Sequence, residues 1–181
     1  SLPYFTGEVI TDEDKMRGNL YVTERLRKEE EKNFSSKEEF LKSLSLELFL
    51  YENDSSCVPR LAQLTEKTNQ FNTLKKPLTE EEISAYISDP KYAVYHASLI
   101  DKFGDHGVIL FALVEKGEET WVIRSLLMSC RVFGRSAEDA FMSVLVAKAQ
   151  REGVKKITIL SEETEKNLPA REFIGTYFTH N

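Results

Sequence analysis

The sequence predicts a mixed α/β (α+β) fold, a mainly antiparallel central sheet flanked by helices, and three observations predict it. Between Tyr92 and Cys130, three β-rich runs follow one another across short turn sequences, the pattern of consecutive antiparallel strands. Ahead of them stand one strand-like run and two helices with start signals; behind them come a helix, a strand and a closing helix. With 181 residues, the chain is long enough to bury roughly 70% of its unfolded surface without staples.

Residues 1–44 read as a helical extension or linker. Thr11, three residues before Asp14, resembles a capping box, and a charged helix follows from Glu13 to Lys32 with only Met16, Leu20, Tyr21 and Leu26 as an apolar stripe. Ser35 and Ser36 precede Glu38 and Glu39 by three residues each and start a short helix running to about Ser43. The compact domain covers residues 45–181.

Leu46 to Glu52 alternates apolar and polar residues before the turn-rich Asn53-Asp54-Ser55-Ser56, which predicts a strand. Pro59 at a first-turn position opens a helix with Val58, Leu61, Ala62 and Leu64 on one face. That helix stops near Thr68, where Thr, Asn and Gln replace helix formers. Asn69, Gln70 and Asn72 then surround the single aromatic Phe71. Such a loop is either held by its own side-chain to backbone bonds or turned towards a ligand. Thr79 and Glu82 cap a second helix, which Pro90 ends.

The strand runs Tyr92–Asp101, Val108–Lys116 and Thr120–Cys130 are separated by turns at Phe103–Gly107 and Gly117–Glu119. His96 lies inside a strand pattern and reads as a packed or solvent-facing imidazole before a catalytic one. The third strand feeds into SCRVFGRSAEDAF, Ser129 to Phe141. There Gly134 and Ser136 precede a helix whose apolar positions are Ala140, Phe141, Val144, Leu145 and Ala147, and which Gly153 ends. A strand, a small-residue turn and a helix start present unpaired N–H groups and a partial positive charge, so the turn is a candidate phosphate site. Gly134 and Ser136 let the backbone approach a diphosphate, and Arg131 or Arg135 adds a charge-assisted bond. A parallel strand at Lys155–Ser161 follows, and Asn167-Leu168-Pro169-Ala170 opens the last helix.

Composition excludes several classes. A net charge of −6, from 24 basic against 30 acidic residues, argues against a general nucleic-acid surface. No apolar run approaches the roughly 20 residues of a membrane span, and a soluble cytoplasmic protein is expected. Cys57 and Cys130 lack metal spacing, and the three histidines form no ligand-spaced cluster, so no metal is expected.

The element order and the turn together resemble the GNAT superfamily of N-acetyltransferases. Its motif Gln/Arg-x-x-Gly-x-Gly/Ala is matched by Arg131-Val132-Phe133-Gly134-Arg135-Ser136, with Ser in the last small position. LTEKTNQFN, the turn FGDHG, LMSCRVFGRSAEDA and the Asn-x-Pro-x-Arg-x-Phe run from Asn167 to Phe173 are further similar to the carboxy-terminal region of FkbH-like proteins. These carry an upstream haloacid dehalogenase (HAD) phosphatase-type domain, associated with loading a glyceryl group onto an acyl carrier protein; that domain is not in this chain.

The resemblance implies an acetyl-CoA, acyl-CoA or phosphopantetheine thioester as cofactor. It places Arg131, Val132, Phe133, Gly134, Arg135 and Ser136 on the phosphates, and Asn167 near a pantetheine arm admitted by a splay between the two strands flanking the turn helix. Asn69, Gln70, Phe71 and Asn72 fall on the acceptor side. The tyrosine often used as general acid corresponds to Ile174, with Tyr177 nearby as the candidate. A full domain of this type continues with a two-stranded hairpin, which would leave the sheet here without its final strands. Three functions follow: an acyl-CoA-dependent N-acyltransferase, a noncatalytic module binding the phosphopantetheine of an acyl carrier protein, or a structural appendage of the HAD-type domain.

Overall fold

The structure, a computed structural model, describes residues 36–179; the helix expected between Thr11 and Lys32 lies outside the described residues. Helix α1 spans Lys37–Ser43, and the Ser36 hydroxyl accepts the Glu39 N–H at 3.1 Å, the cap that the sequence signals. Strand β1, Glu47–Glu52, leads through a short 3₁₀ turn into α2, Val58–Lys67, with Pro59 in its first turn. Helix α3, Glu80–Ser88, starts on a complete capping box: Thr79 accepts the Glu82 N–H at 3.1 Å while Glu82 accepts the Thr79 N–H at 2.9 Å.

Strands β3 (Tyr92–Asp101), β4 (Gly104–Lys116) and β5 (Thr120–Met128) form the antiparallel meander, and β1 pairs antiparallel with β3 on its outer side. The turn after β3 is tighter than expected. Asp101 pairs with Gly104, so β4 starts four residues before Val108. The Asp101 carboxylate accepts the Phe103 N–H at 2.9 Å, and Gly104 takes a φ of 138°. Strand β5 also stops early, because the Ser129 hydroxyl caps a 3₁₀ turn over Cys130–Val132. Helix α4, Ala137–Arg151, returns the chain to β6, Lys156–Ile159, which runs parallel to β5, and α5, Leu168–Tyr177, closes the domain.

Alternation along β4 divides the core. Phe111 and Leu113 point to one face of the sheet, where Leu61 and Leu64 of α2 and Ile83 of α3 cover them. Leu110, Ala112 and Val114 point to the other, under Phe141 and Leu145 of α4 and Phe173 of α5. Helices therefore sandwich the sheet.

One element departs from the sequence expectation. Phe71–Asn72, expected in a loop, form a two-residue strand, β2, antiparallel to the end of β5, with Phe71 opposite Met128 and Asn72 opposite Leu127. The β5–β6 ladder occupies only Thr120–Ile123, so beyond Ile123 the outer edge of β5 is open for another segment, and β2 takes it. The unmade hydrogen bonds of that edge give an otherwise polar loop a reason to become strand.

Candidate functional site

The turn between β5 and α4 is built as its residues suggest. Ser129, Cys130 and Val132 carbonyls take the N–H groups of Val132, Phe133 and Arg135 at 3.2–3.3 Å, curling the chain back on itself. Gly134 at φ 82° and Ser136 at φ 60° then adopt left-handed conformations, the second carrying a steric cost of about 1–2 kcal/mol for a residue with a Cβ. Among the described residues, the N–H groups of Gly134, Ser136 and Ala137 donate to no partner. Gly134 borders a cleft of about 380 Å³ between the start of α4 and α5.

Charge in this cleft opposes the anion that the N–H groups would favour. Glu138, Asp139 and Glu172 line it, and among the described residues none that lines it is cationic. Two carboxylates in the first turn stabilise α4 through the helix dipole and thereby offset the positive end that a phosphate would seek. Tyr177 lines the same cleft and donates to the Asp139 carboxylate. That bond, together with burial and the charges of Asp139 and Glu138, pushes the Tyr177 phenol up to about 12, far above the range in which a general acid is matched to neutral pH.

The arginines of the motif separate. Arg135 turns inward, its side chain fully buried, with Nε 3.3 Å from Asp101 Oδ2, while His106 Nε2 stands 3.1 Å from Asp101 Oδ1; these are ion-pair distances rather than aligned hydrogen bonds. Its guanidinium also donates to the Arg131 carbonyl at 2.6 Å. Burial would raise the Asp101 carboxyl, but the contact with His106, the Phe103 N–H and the Arg135 charge outweigh it and hold the group below its ordinary value. Arg135 thus supports the turn from within the protein, and its side chain is not aimed at the phosphate position. Val132 is buried beneath the turn and Phe133 packs against the core. Arg131 points to the α2 side, its Nε donating to the Ser129 hydroxyl at 3.2 Å.

On that side lies a second cleft, of about 320 Å³, walled by α2, residues 68–71 and the end of β5. It gathers Asn69, Gln70, Phe71 and Arg131, four residues singled out from sequence, with Arg60 and Lys67, which were not. Those two cations carry no motif; their spacing of seven along α2, two helical turns, is the one signal that puts them on a common face. Asn72 is directed elsewhere, its side chain donating to the Thr68 carbonyl at 2.9 Å and accepting the Leu74 N–H at 3.2 Å.

Phe71 and Met128 line both clefts and form the wall between them. Thr73 completes that wall. Its N–H donates to the Leu126 carbonyl and its hydroxyl accepts the Leu126 N–H, both at 3.0 Å, while its carbonyl accepts the Glu162 N–H at 2.8 Å. Asn167, 2% exposed, donates to the Asn72 and Glu162 carbonyls at 3.1 and 2.7 Å and accepts from the Thr164 N–H and Arg171 Nε at 2.9 and 3.3 Å. Every polar atom of its amide is engaged in bracing the gap between β5 and β6. The splay that the resemblance assigns to a pantetheine arm is filled by residues 71–73 of the chain itself.

A separate buried pair carries no thiolate chemistry. Cys57 Sγ lies 3.3 Å from His96 Nε2, but burial, with the charge of Asp54, pushes the thiol up to about 11, so it stays protonated near neutrality. His96 is buried and stacks on Tyr51 at 4.8 Å, so of the packed and solvent-facing alternatives open at its strand position the structure has the packed one. Among the described residues, no group of His, Cys, Asp or Glu is arranged to hold a metal ion, and no helix is long and apolar enough to cross a membrane.

No family model and no curated protein sequence matches this chain at a significant level. Solved structures match its fold. A ribosomal-protein-alanine N-acetyltransferase from Brucella melitensis biovar Abortus 2308 superposes with a TM-score of 0.57 at 11% identity, covering 76% of this chain and 93% of the other. An aminoglycoside 6'-N-acetyltransferase from Acinetobacter baumannii gives 0.56 at 7% identity over 75% and 92% of the two chains. An aminoglycoside N-acetyltransferase in complex with CoA gives 0.55 at 8% identity over 76% and 91%. The fold is that of the GNAT N-acetyltransferases.

Proposed function

We propose that this chain is the carboxy-terminal GNAT-fold module of an FkbH-like protein, and that it works by binding a phosphopantetheine thioester on an acyl carrier protein rather than by acetylating an amine. The observation that carries this reading is the wall of Phe71, Asn72 and Thr73 across the β5–β6 gap. A CoA whose diphosphate sat on the Gly134 turn would have to pass through that wall for its thioester to meet an acceptor beside Asn69 and Gln70. The Tyr177 proton, bound to Asp139 and held to about 12, supports the same reading, since the step that needs a general acid has no suitably tuned donor there. In the FkbH-like setting the module serves the upstream HAD-type domain and its carrier-protein substrate in the cytoplasm.

Titration with the holo and apo forms of an acyl carrier protein tests this directly. Tighter binding of the holo form, with no amine-dependent release of CoA from acetyl-CoA over a broad amine panel, is the expected result. Equal affinity for the two forms removes the phosphopantetheine from the reading. The available N–H groups of Gly134, Ser136 and Ala137 favour a second reading, an acyl-CoA-dependent N-acyltransferase. Saturable turnover abolished by Gly134→Trp would establish it in place of the first.

A further inference from the structure

Phe49, Tyr51 and Ile100 are 40, 40 and 36% exposed, and all three stand round one cleft of about 330 Å³. Single apolar residues scattered over a surface need no explanation, but a group of them at the mouth of a concavity marks a binding surface. The cleft lies between strands β1, β3 and β4 and the 3₁₀ turn that precedes α2. β1 and β3 form one edge of the sheet, whereas β5, which leads into the turn at Gly134, lies towards the other. We infer that this cleft binds a small organic ammonium ion, its apolar body against Phe49, Tyr51 and Ile100 and its charge met by Asp54 and Asp105.

Each carboxylate is fixed by its own backbone. Asp54 Oδ1 accepts the Ser56 N–H at 2.9 Å, and Asp105 Oδ1 accepts the Gly107 N–H at 2.8 Å. The bonds from Ser56 hold the Asp54 carboxyl below its ordinary value, so it is ionised near neutrality. A net charge of −6 over the whole chain adds a field of the same sign, and the faces of Phe49 and Tyr51 attract a cation through their ring quadrupoles. The floor supplies a neutral acceptor. His96 lines the cleft although it is only 3% exposed, and its two ring nitrogens lie 3.3 and 3.7 Å from the same atom, Cys57 Sγ. The nitrogens of an imidazole bond in diverging directions, so one sulfur aligns with at most one of them and the other is left for a ligand. Burial holds the ring below its ordinary value against the pull of Asp54, which leaves it uncharged near neutrality. With its proton towards the sulfur, the ring offers its second lone pair to a ligand N–H. The cleft shares no described lining residue with the turn cleft or the α2 cleft, so its ligand is independent of the carrier-protein reading.

Phenethylamine, an ammonium ion with an aromatic body at neutral pH, is the probe. Phenylpropionate and phenylethanol keep that body and replace the charge by a carboxylate or a hydroxyl. Chemical-shift mapping of backbone amides by NMR, on the full chain, should show saturable shifts with phenethylamine confined to residues 49–57, 96–100 and 105–108. Phenylethanol should bind there at least about tenfold more weakly, and phenylpropionate should leave these amides unmoved. Asp54→Asn combined with Asp105→Asn keeps both backbone bonds, because an amide oxygen accepts as a carboxylate oxygen does, and should weaken phenethylamine about tenfold by removing the two charges. Tyr51→Leu keeps an apolar cover over His96 but removes the aromatic face, and should weaken it about threefold. Amide shifts that do not saturate, or that spread over the whole surface, overturn the site. So does equal affinity for phenethylamine and phenylethanol, which needs no variant to fold, or parent affinity in the double Asp→Asn variant.

Discussion

Replacing Phe71 by Ala tests the wall on which the functional reading depends. Phe71 is 3% exposed, and its ring centroid lies 5.3 Å from that of Phe173 and 6.2 Å from that of Phe133. Core Phe→Ala substitutions cost about 3–5 kcal/mol, from lost transfer energy and from the cavity left behind. Here the ring borders two solvent-connected clefts, so water can enter part of the vacated volume, and the lower end, about 3 kcal/mol, is expected. For a chain of this size each kcal/mol shifts Tm by roughly 2–4 °C, giving a fall of about 6–12 °C. Thermal unfolding followed by circular dichroism measures it. Phe71→Leu, which keeps most of the volume, should cost less than about 1.5 kcal/mol. A fall below about 2 °C for Phe71→Ala would show that the ring is not packed between Phe133 and Phe173, and the separation of the two clefts would lose its physical basis.

Two further outcomes follow from the same geometry. Asp101→Asn should destabilise by about 3–5 kcal/mol because it removes the negative charge 3.3 Å from the buried Arg135 guanidinium, and Asp101→Asn combined with Arg135→Met should recover part of that loss. The Asp101 carboxyl is held below its ordinary value, so its contribution is complete above the unfolded pKa of about 4 and disappears as pH falls through the folded value. The acid limb of the stability profile should accordingly be shallower in Asp101→Asn than in the parent; identical limbs would contradict the assignment. Thr73→Val keeps the shape but removes the acceptor of the buried Leu126 N–H, at a cost of about 1–3 kcal/mol. Hydrogen exchange should then accelerate at Leu126 first, and uniform acceleration across β5 would argue that Thr73 does not brace the gap.

The order of elements was legible in the sequence because its signals are local. Ser36 and Thr79 cap the helices that their spacing to Glu39 and Glu82 announces, Pro59 sits in the first turn of α2, and the meander follows its turn residues. The turn at Gly134 and Ser136 was legible for the same reason, since a left-handed backbone selects small residues within a few positions of one another. The fate of Phe71–Thr73 was not legible. Nothing in TNQFN distinguishes a loop from a strand until β6 diverges from β5 after Ile123 and leaves unpaired backbone for it to meet.

Tertiary packing also decided the two arginines of the motif. Arg131 and Arg135 look equivalent in sequence, but Asp101, carried in by the β3–β4 turn, draws one into the interior, and the other faces the cleft beside Arg60 and Lys67. Local spacing specifies which elements form. Which charges share a cleft depends on contacts between residues as far apart as Asp101 and Arg135, and those exist only once the sheet has assembled.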